Sequence, residues 1–418
     1  MWNWRNKTGR KCRLVGLKRK LSALELCLRG EIQSVNVSFA TSKPAVKSGL
    51  IVLIFLELSI MKKSLIALAV LAASGASFAQ SSVTLYGIAD VYLGNTKVTG
   101  HNGVSTTTNS LGSGGVSTDR WGFKGSEDLG GGLKANFLLE QGFNIDTGAA
   151  KGTGNSAAGL PVAGAQGFAR QSYVGFSGGF GEVKLGKMWT AFDDVNGATD
   201  AVFDSALSPM YYVFTSTNYN ANPGNSVYYT TPTFSGFSGT VSYGLGENKT
   251  AAQGAGSNAA FNVQYTGGPV YVALGYQSEK DNGNVSSRDF TRVNASYDLG
   301  VVKLMGNLGR TKANDKSTNE WQLGVDYPVG SALTLSASYA ASKGGVYFAG
   351  DPLVVKTTAA GTADVKRTGF GIGASYSLSK RTSLYGGYMA AKEEANANFA
   401  GTADAETKLF AVGLRHAF

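Results

Sequence analysis

After Cys27 the chain has no cysteine, and that absence removes two kinds of chemistry at once. From Gln80 to Phe418 there is no thiolate to act as nucleophile or to hold zinc. Avoiding thiols also suits a chain that crosses an oxidising compartment. Histidine is nearly as rare: only His101 and His416 occur, neither beside a nucleophile motif, so a Ser–His catalytic pair has no foothold. Proline is scarce, at 8 residues, while the 57 glycines follow no three-residue period, which excludes collagen. Aromatic residues, at 11%, are too many for a disordered glycine-rich polymer. The phosphate-cradling pattern GxxxxGK[ST] is also missing. The expectation is a folded, turn-rich chain with no catalytic residue, cofactor or metal.

The net charge of +10 suggests nucleic acid until its location is examined. Thirteen of the 38 Lys/Arg and three of the 28 Asp/Glu precede Gln80, leaving 25 of each sign in 80–418. The folded part is neutral, so no nucleic-acid partner is expected.

From Met61 the sequence reads MKKSLIALAVLAASGASFAQ. Lys62 and Lys63 form a basic start, Leu65 to Ala73 an apolar stretch, and Ser77 and Ala79 the small residues of a cleavage site. Residues 61–79 therefore read as a signal peptide, cleaved after Ala79. A membrane anchor over 50–73 would bury Lys62 and Lys63 at a cost of roughly 2.5–3.5 kcal/mol each. Residues 1–60 are basic, unpatterned and end just before a good initiator Met61. They read as an extension wrongly assigned to the protein.

After Ala79 no amphipathic helix of ordinary length appears; alternation with period two recurs instead. Val83, Leu85, Val91 and Leu93 share one parity, with Thr84, Tyr86, Asp90 and Tyr92 on the other. At the far end Phe410, Val412, Leu414 and Phe418 share a face opposite Ala411, Gly413, Arg415 and Ala417. Seven links are tight and rich in Gly, Pro or Ser: 129–132, 178–181, 232–236, 267–269, 298–300, 328–331 and 379–381. Eight are longer and polar: about 95–118, 145–168, 190–224, 247–258, 280–287, 312–318, 343–364 and 393–405. Short and long alternate strictly. That pattern predicts an all-β, 16-stranded antiparallel transmembrane barrel over 80–418, with both termini at the short-turn end. A span needs roughly 9–11 tilted residues per strand. A soluble sandwich or β-helix would instead have to bury Trp121, Phe123, Phe410, Val412 and Leu414 under a second layer.

Five segments make the pattern specific: SSVTLYGIAD at 81–90, DRWGFKGSEDLGGGLKANFLLEQGF at 119–143, ARQSYVGFSGGFGEVKLGK at 169–187, NSVYYTTPTFSGF at 225–237 and VGLRHAF at 412–418. With these the chain resembles the trimeric porins of Gram-negative bacteria, particularly the β-proteobacterial general porins. The resemblance implies an outer-membrane, water-filled channel for ions and small hydrophilic solutes, weakly charge-selective and homotrimeric. It further implies contact with outer-membrane lipid and lipopolysaccharide. Phe418 resembles the family's terminal signal for the outer-membrane assembly machinery.

The resemblance also implies that the third long loop, 190–224, folds into the barrel as an eyelet. That loop carries Asp193, Asp194, Asp200 and Asp204 and no Lys or Arg, so these are the candidates for its acidic side. Arg120 and Arg170 resemble the family's basic wall, and parity turns both inward; Lys124, Lys134 and Lys187 are further candidates. Where relatives often place a basic residue in NSVYYTTP, this chain has Tyr228, which puts anion preference in doubt. The alternatives are a substrate-specific channel lined by Tyr86, Tyr92, Tyr211, Tyr212 and Tyr228, an outer-membrane hydrolase, or an adhesive barrel. For trimer packing, Gly371, Gly373, Gly386 and Gly387 are candidates for a close-packing outer face.

Overall fold

The computed structural model describes the backbone of 2–6, 11–14 and 32–37, and residues 82–151, 167–247, 249–251, 254–281, 287–313, 315–346, 364–396 and 401–418. The chain divides into two compact units, Met1–Phe78 and Ala79–Phe418. In the first, Trp2–Asn6 lies between Lys11–Leu14 and Ile32–Val37 in a small antiparallel sheet. The signal segment read at 61–79 lies outside the described residues.

The second unit closes into a barrel. Its first strands are β1 (Ser82–Thr99), β2 (Ser105–Ser113, resuming as Arg120–Gly130), β3 (Leu133–Phe143), β4 (Gln171–Gly178), β5 (Gly181–Lys187) and β6 (Ser226–Thr230). There follow β7 (Phe237–Leu245), β8 (Ser257–Gly267), β9 (Val270–Lys280), β10 (Ser287–Asp298) and β11 (Lys303–Ala313). The circuit ends with β12 (Lys316–Val329), β13 (Leu333–Gly344), β14 (Val365–Ser377), β15 (Thr382–Glu393) and β16 (Ala405–Ala417). Both parts of β2 pair with β1, and the short Ala150–Lys151 pairs with β3 ahead of β4, so the ring counts 16 strands.

Every neighbouring pair is antiparallel, and β16 closes on β1 from Glu406↔Thr99 to Ala417↔Ile88. Phe418 extends that seam: its N–H donates to Gly87 O at 3.0 Å, and its carbonyl accepts from Gly87 N at 3.1 Å. A ring without edges leaves no strand backbone unpaired, which hydrocarbon demands because it offers no partner of its own.

Parity decides which face meets what. Val83, Leu85, Leu93, Val174, Leu185, Leu308, Leu323, Val412 and Leu414 point outward and are exposed. Aromatic residues bracket them: Phe180, Phe234, Phe237, Tyr297, Tyr327, Tyr376 and Phe418 near the short turns, and Tyr243, Phe261, Trp321, Tyr339, Phe370 and Phe410 towards the long loops. Apolar exposure around a whole girth is untenable in water but fits a bilayer with interfacial aromatic girdles.

All seven short reversals fall where Gly, Pro and Ser foretold them. Between β2 and β3, Gly130, Gly131 and Gly132 stand at φ 86°, 61° and 80°, a run that side-chain-bearing residues resist. The first long link differs from expectation. Instead of a loop over 95–118, β1 continues to Thr99 and β2 starts at Ser105, paired from Val91↔Ser113 to Thr99↔Ser105. Beyond Leu93 and Leu111 this hairpin is mainly Thr, Ser and Asn on both faces, so it lacks the apolar alternation that marks a strand; backbone pairing and cross-strand bonds such as Asn95 Nδ2 to Asn109 Oδ1 at 2.6 Å extend it.

The packed apolar core lies inside the barrel, between its wall and the segment joining β5 to β6. Ala201, Val202, Leu207 and Tyr212 of that segment pack on Met305, Met389, Leu409 and Ala411 of the wall. Ala191, Phe192 and Tyr219 pack on Ala260 and Phe290, and Met210, Val213 and Phe214 on Ala340.

Candidate functional site: a loop laid inside the barrel

The long link after β5 runs into the lumen as α1 (Asp193–Asn196), α2 (Met210–Val213) and a 3-10 turn at Thr215–Thr217. Bare inward faces make room for it. Side chains on Gly371, Gly373 and Gly387 would collide with Leu207, Val202 and Phe203 of the loop, as would one at Gly324 with Ala201. This corrects the reading of Gly371, Gly373 and Gly387 as an outer packing face: they point inward, under the loop.

Polar wall residues then pin the loop along its length. Thr190 Oγ1 donates to Gln277 Oε1 at 2.7 Å, and Ser242 Oγ accepts from Ala191 N at 2.9 Å. Asn307 Nδ2 donates to Thr199 O at 3.1 Å, and Ser342 Oγ to Val213 O at 2.7 Å. Arg292 on β10 is fully buried; its guanidinium donates to Asn196 O at 3.0 Å and to Ser216 Oγ, between the Phe192 and Phe214 rings. Glu320 on β12 accepts from Thr215 N–H, from Thr215 Oγ1 at 2.5 Å and from Ser216 N–H at 3.0 Å. Ser216 thus joins a buried cation to a buried anion through its hydroxyl and its amide.

The loop's aspartates divide by orientation. Asp194 and Asp204 are exposed to the lumen; Asp194 accepts from Tyr228 OH at 2.7 Å, and Asp204 from Tyr211 OH. Asp193 is half-buried and accepts from Tyr219 OH. Asp200 turns into the wall, accepting from Gln322 Nε2 at 2.6 Å and Ser208 Oγ at 2.7 Å, while its Oδ2 is buried with no hydrogen-bond partner. Burial, reinforced by the Asp204 charge, pushes the Asp200 carboxyl above the ordinary carboxylate range. Val202, Phe203 and Asp204 stand at φ 61°, 68° and 48°, three left-handed non-glycine residues in a row. Such strain persists only where the surroundings impose it; here Ser336 Oγ accepts from Val202 N at 2.6 Å, and Ser205 Oγ donates to Val202 O at 2.6 Å.

Basic groups gather on β2, β3, β5 and β16 and just ahead of β4. Glu140 on β3 organises them: Arg170 Nε lies 2.8 Å and Arg120 Nε 3.7 Å from its carboxylate, and Tyr86 OH donates to it at 3.0 Å. Arg170 also covers the Trp189 ring at 4.9 Å. Arg415 donates to Ser117 Oγ at 3.0 Å and, like Arg170, acts electrostatically on Arg120. Lys124 lies over Tyr86 at 5.1 Å, and Lys184 over Tyr228 at 4.5 Å. Lys187 Nζ donates to Asn222 O at 2.5 Å and so fastens the returning loop. Lys134 is brought to a different level: it pairs with Asp128 beside the β2–β3 turn, six residues along the strand from Glu140.

Sequence reasoning missed Glu140, Lys184, Arg292 and Glu320 as site residues, although inward parity was legible for each. Tyr211, Tyr212 and Tyr228 pack within the loop or against it, so they form no ladder along the pore. His101 is buried, with Nε2 3.0 Å from Glu393 Oε1, and exposed His416 meets Thr382 Oγ1. Among the described residues no group of His, Cys, Asp and Glu is placed to hold a metal ion.

A narrowed, water-accessible lumen with carboxylates on a loop and cations on the facing wall defines a membrane channel. The family described as "Gram-negative porin" matches residues 65–396, and the chain belongs to that family. Outer membrane porin protein 32 of Delftia acidovorans is 35% identical over 395 residues, covering 86% of this chain and all of that protein. An outer membrane porin protein of Bordetella pertussis is 32% identical over 412 residues, with the same coverage. Among solved structures, an anion-selective porin from Comamonas acidovorans is 31% identical with TM-score 0.62, over 81% of this chain and 100% of that one. The chain is an outer-membrane porin that forms a diffusion channel for ions and small hydrophilic solutes.

Proposed function

We propose that this channel is weakly charge-selective, favours anions, and takes its selectivity from an eyelet between Asp194 and Asp204 on the loop and Arg120, Arg170, Lys124, Lys184 and Arg415 on the wall. The observation that carries this is the imbalance of ionised groups facing the lumen. The wall cations outnumber the wall carboxylates Glu140 and Glu182, and Asp200 is turned into the wall, away from the lumen. A transverse field from loop to wall orients dipolar solutes and discriminates modestly by sign. The 31% identity to a porin described as anion-selective supports the sign.

The precursor reading accompanies this proposal: translation from Met61, export through a signal peptide at 61–79, and a barrel over 80–418. Its support is that 86% of this chain spans the whole of the Delftia protein. Homotrimer formation, Phe418 as assembly signal, lipopolysaccharide contact and the lack of enzymatic activity rest on the family resemblance.

The test is the reversal potential in a planar bilayer under a tenfold salt gradient. A small shift of anionic sign, reduced in Arg120→Gln/Arg170→Gln, is expected; a cationic shift that the double variant leaves unchanged overturns the proposal.

A further inference from the structure

β2 is broken at one place: Val91 of β1 faces Ser113 and Ile88 faces Arg120, so residues 114–119 stand opposite Ala89 and Asp90 alone. Surplus chain on one strand bends away from the ladder, and here it bends into the lumen. Asp90, Tyr92 and Tyr385 share the inward parity, and a side chain on Gly115 would strike the Tyr385 hydroxyl and the Tyr92 ring. Asp119 keeps the wall sealed where the strand departs. Its Oδ1 accepts from Asp90 N–H, and its carbonyl accepts from Phe143 N on β3 at 3.2 Å. Gly114 N donates to Asp90 O at 2.8 Å. The Asp119 side chain thus stands in for a ladder bond that hydrocarbon would leave unmade.

The inward bulge is held by a buried anion. Asp90 is fully buried, and its carboxylate accepts from consecutive amides: Gly115 N at 3.2 Å, Val116 N at 3.0 Å and Ser117 N at 2.7 Å. Tyr385 OH donates to the same group at 2.5 Å. A carboxylate is costly to bury unless its oxygens are satisfied, and a run of successive N–H groups makes the concavity that satisfies one. On its other side the bulge touches the parts that narrow the pore. Gly115 O accepts from Ala206 N at the loop tip at 3.0 Å, and Ser117 Oγ accepts from Arg415 Nε at 3.0 Å. Val116, Ser117 and Thr118 stay partly exposed, whereas Gly115 and Asp119 are buried.

We propose that residues 114–118 form a second element of the eyelet, closing the corner where the loop tip meets the basic wall, and that Asp90 is the positioning residue that fixes them there. Ser117 then stands in the conduction path beside Arg415. One short segment holds both Ala206 and Arg415, so the loop tip and the wall cation keep a fixed separation. The proposal deepens the eyelet reading above and does not depend on its anionic sign.

The test uses the full chain purified from outer membranes and placed in planar bilayers under a salt gradient. Ser117→Asp and Ser117→Lys should displace the reversal potential from the wild-type value in opposite directions, cationic and anionic. Equal potentials for the two variants overturn the proposal. Adding Asp90→Asn to each should narrow the split, because a released bulge no longer holds residue 117 in the pore. Hydrogen exchange of the Gly115–Ser117 amides in mild detergent reads the anchor itself. With its charge-assisted bonds made neutral, Asp90→Asn should speed that exchange roughly a hundredfold. Tyr385→Phe keeps the ring, removes one hydrogen bond to Asp90 and should speed it about fivefold. Wild-type exchange in both variants overturns the positioning role, as does a split that Asp90→Asn leaves intact. A split at Ser117 beside an unaltered potential in Arg120→Gln/Arg170→Gln upholds the bulge and counts against the arginine wall alone.

Discussion

Glu320→Gln changes one charge and almost no volume, and it should loosen the eyelet without loosening the barrel. Glu320 receives two amide protons and one hydroxyl from Thr215 and Ser216. Hydrogen bonds to a charged acceptor exceed neutral ones by roughly 1 kcal/mol each, so three of them put the loss of docking energy near 3 kcal/mol. The substitution also removes the anion nearest in effect to buried Arg292. At about 1.4 kcal/mol per tenfold, the undocked population of the loop's second half rises roughly a hundredfold. No ladder hydrogen bond of β12 uses the side chain, so heat-resistant electrophoretic mobility should match wild type. Single-channel recordings should show added open-channel noise and brief larger openings, and liposome swelling should admit larger sugars. Wild-type noise together with a wild-type size limit would refute the view that Glu320 holds the loop.

Burial, reinforced by the Asp204 charge, raises the Asp200 carboxyl in the docked loop above its unfolded value. The stability this gives is full at low pH and declines as pH rises through the raised pKa. Wild-type current noise should therefore grow in alkaline buffer while Asp200→Asn stays flat; parallel pH profiles would contradict the assignment. Gly371→Val puts a branched side chain against the Leu207 carbonyl. It should displace the loop tip and raise unitary conductance, and an unchanged conductance would count against the close approach. Removal of Phe418 deletes a ring that covers Gly87 and two seam hydrogen bonds. Surface level measured by external labelling should fall, and normal levels would dismiss the assembly role.

The barrel was legible because hydrocarbon enforces period two and because short reversals demand Gly, Pro or Ser. Where hydrocarbon does not reach, the signal fades: the polar Ser105–Ser113 stretch reads as loop yet pairs as strand. Parity turned Arg120 inward and put Arg415 on the small or polar face, but parity cannot say what an inward residue meets. Arg292 and Glu320 alternate like any lumen residue, and only the loop's path turns them into anchors. The same limit misled the reading of Gly371, Gly373 and Gly387, since a bare face admits a neighbouring subunit or an internal loop equally well. The loop's entry into the lumen came from resemblance, because its aspartates alone would suit a solvated loop.

The absence of cysteine after Cys27 offers the most direct test of the loop's place in the conduction path. Asp204→Cys introduces a single thiol into 80–418, at the residue the left-handed turn aims into the lumen. During single-channel recording, a bulky cationic methanethiosulfonate added from the loop side should cut the current in discrete, irreversible steps. Reaction of that thiol with no change in current would place Asp204 outside the pore and contradict the account.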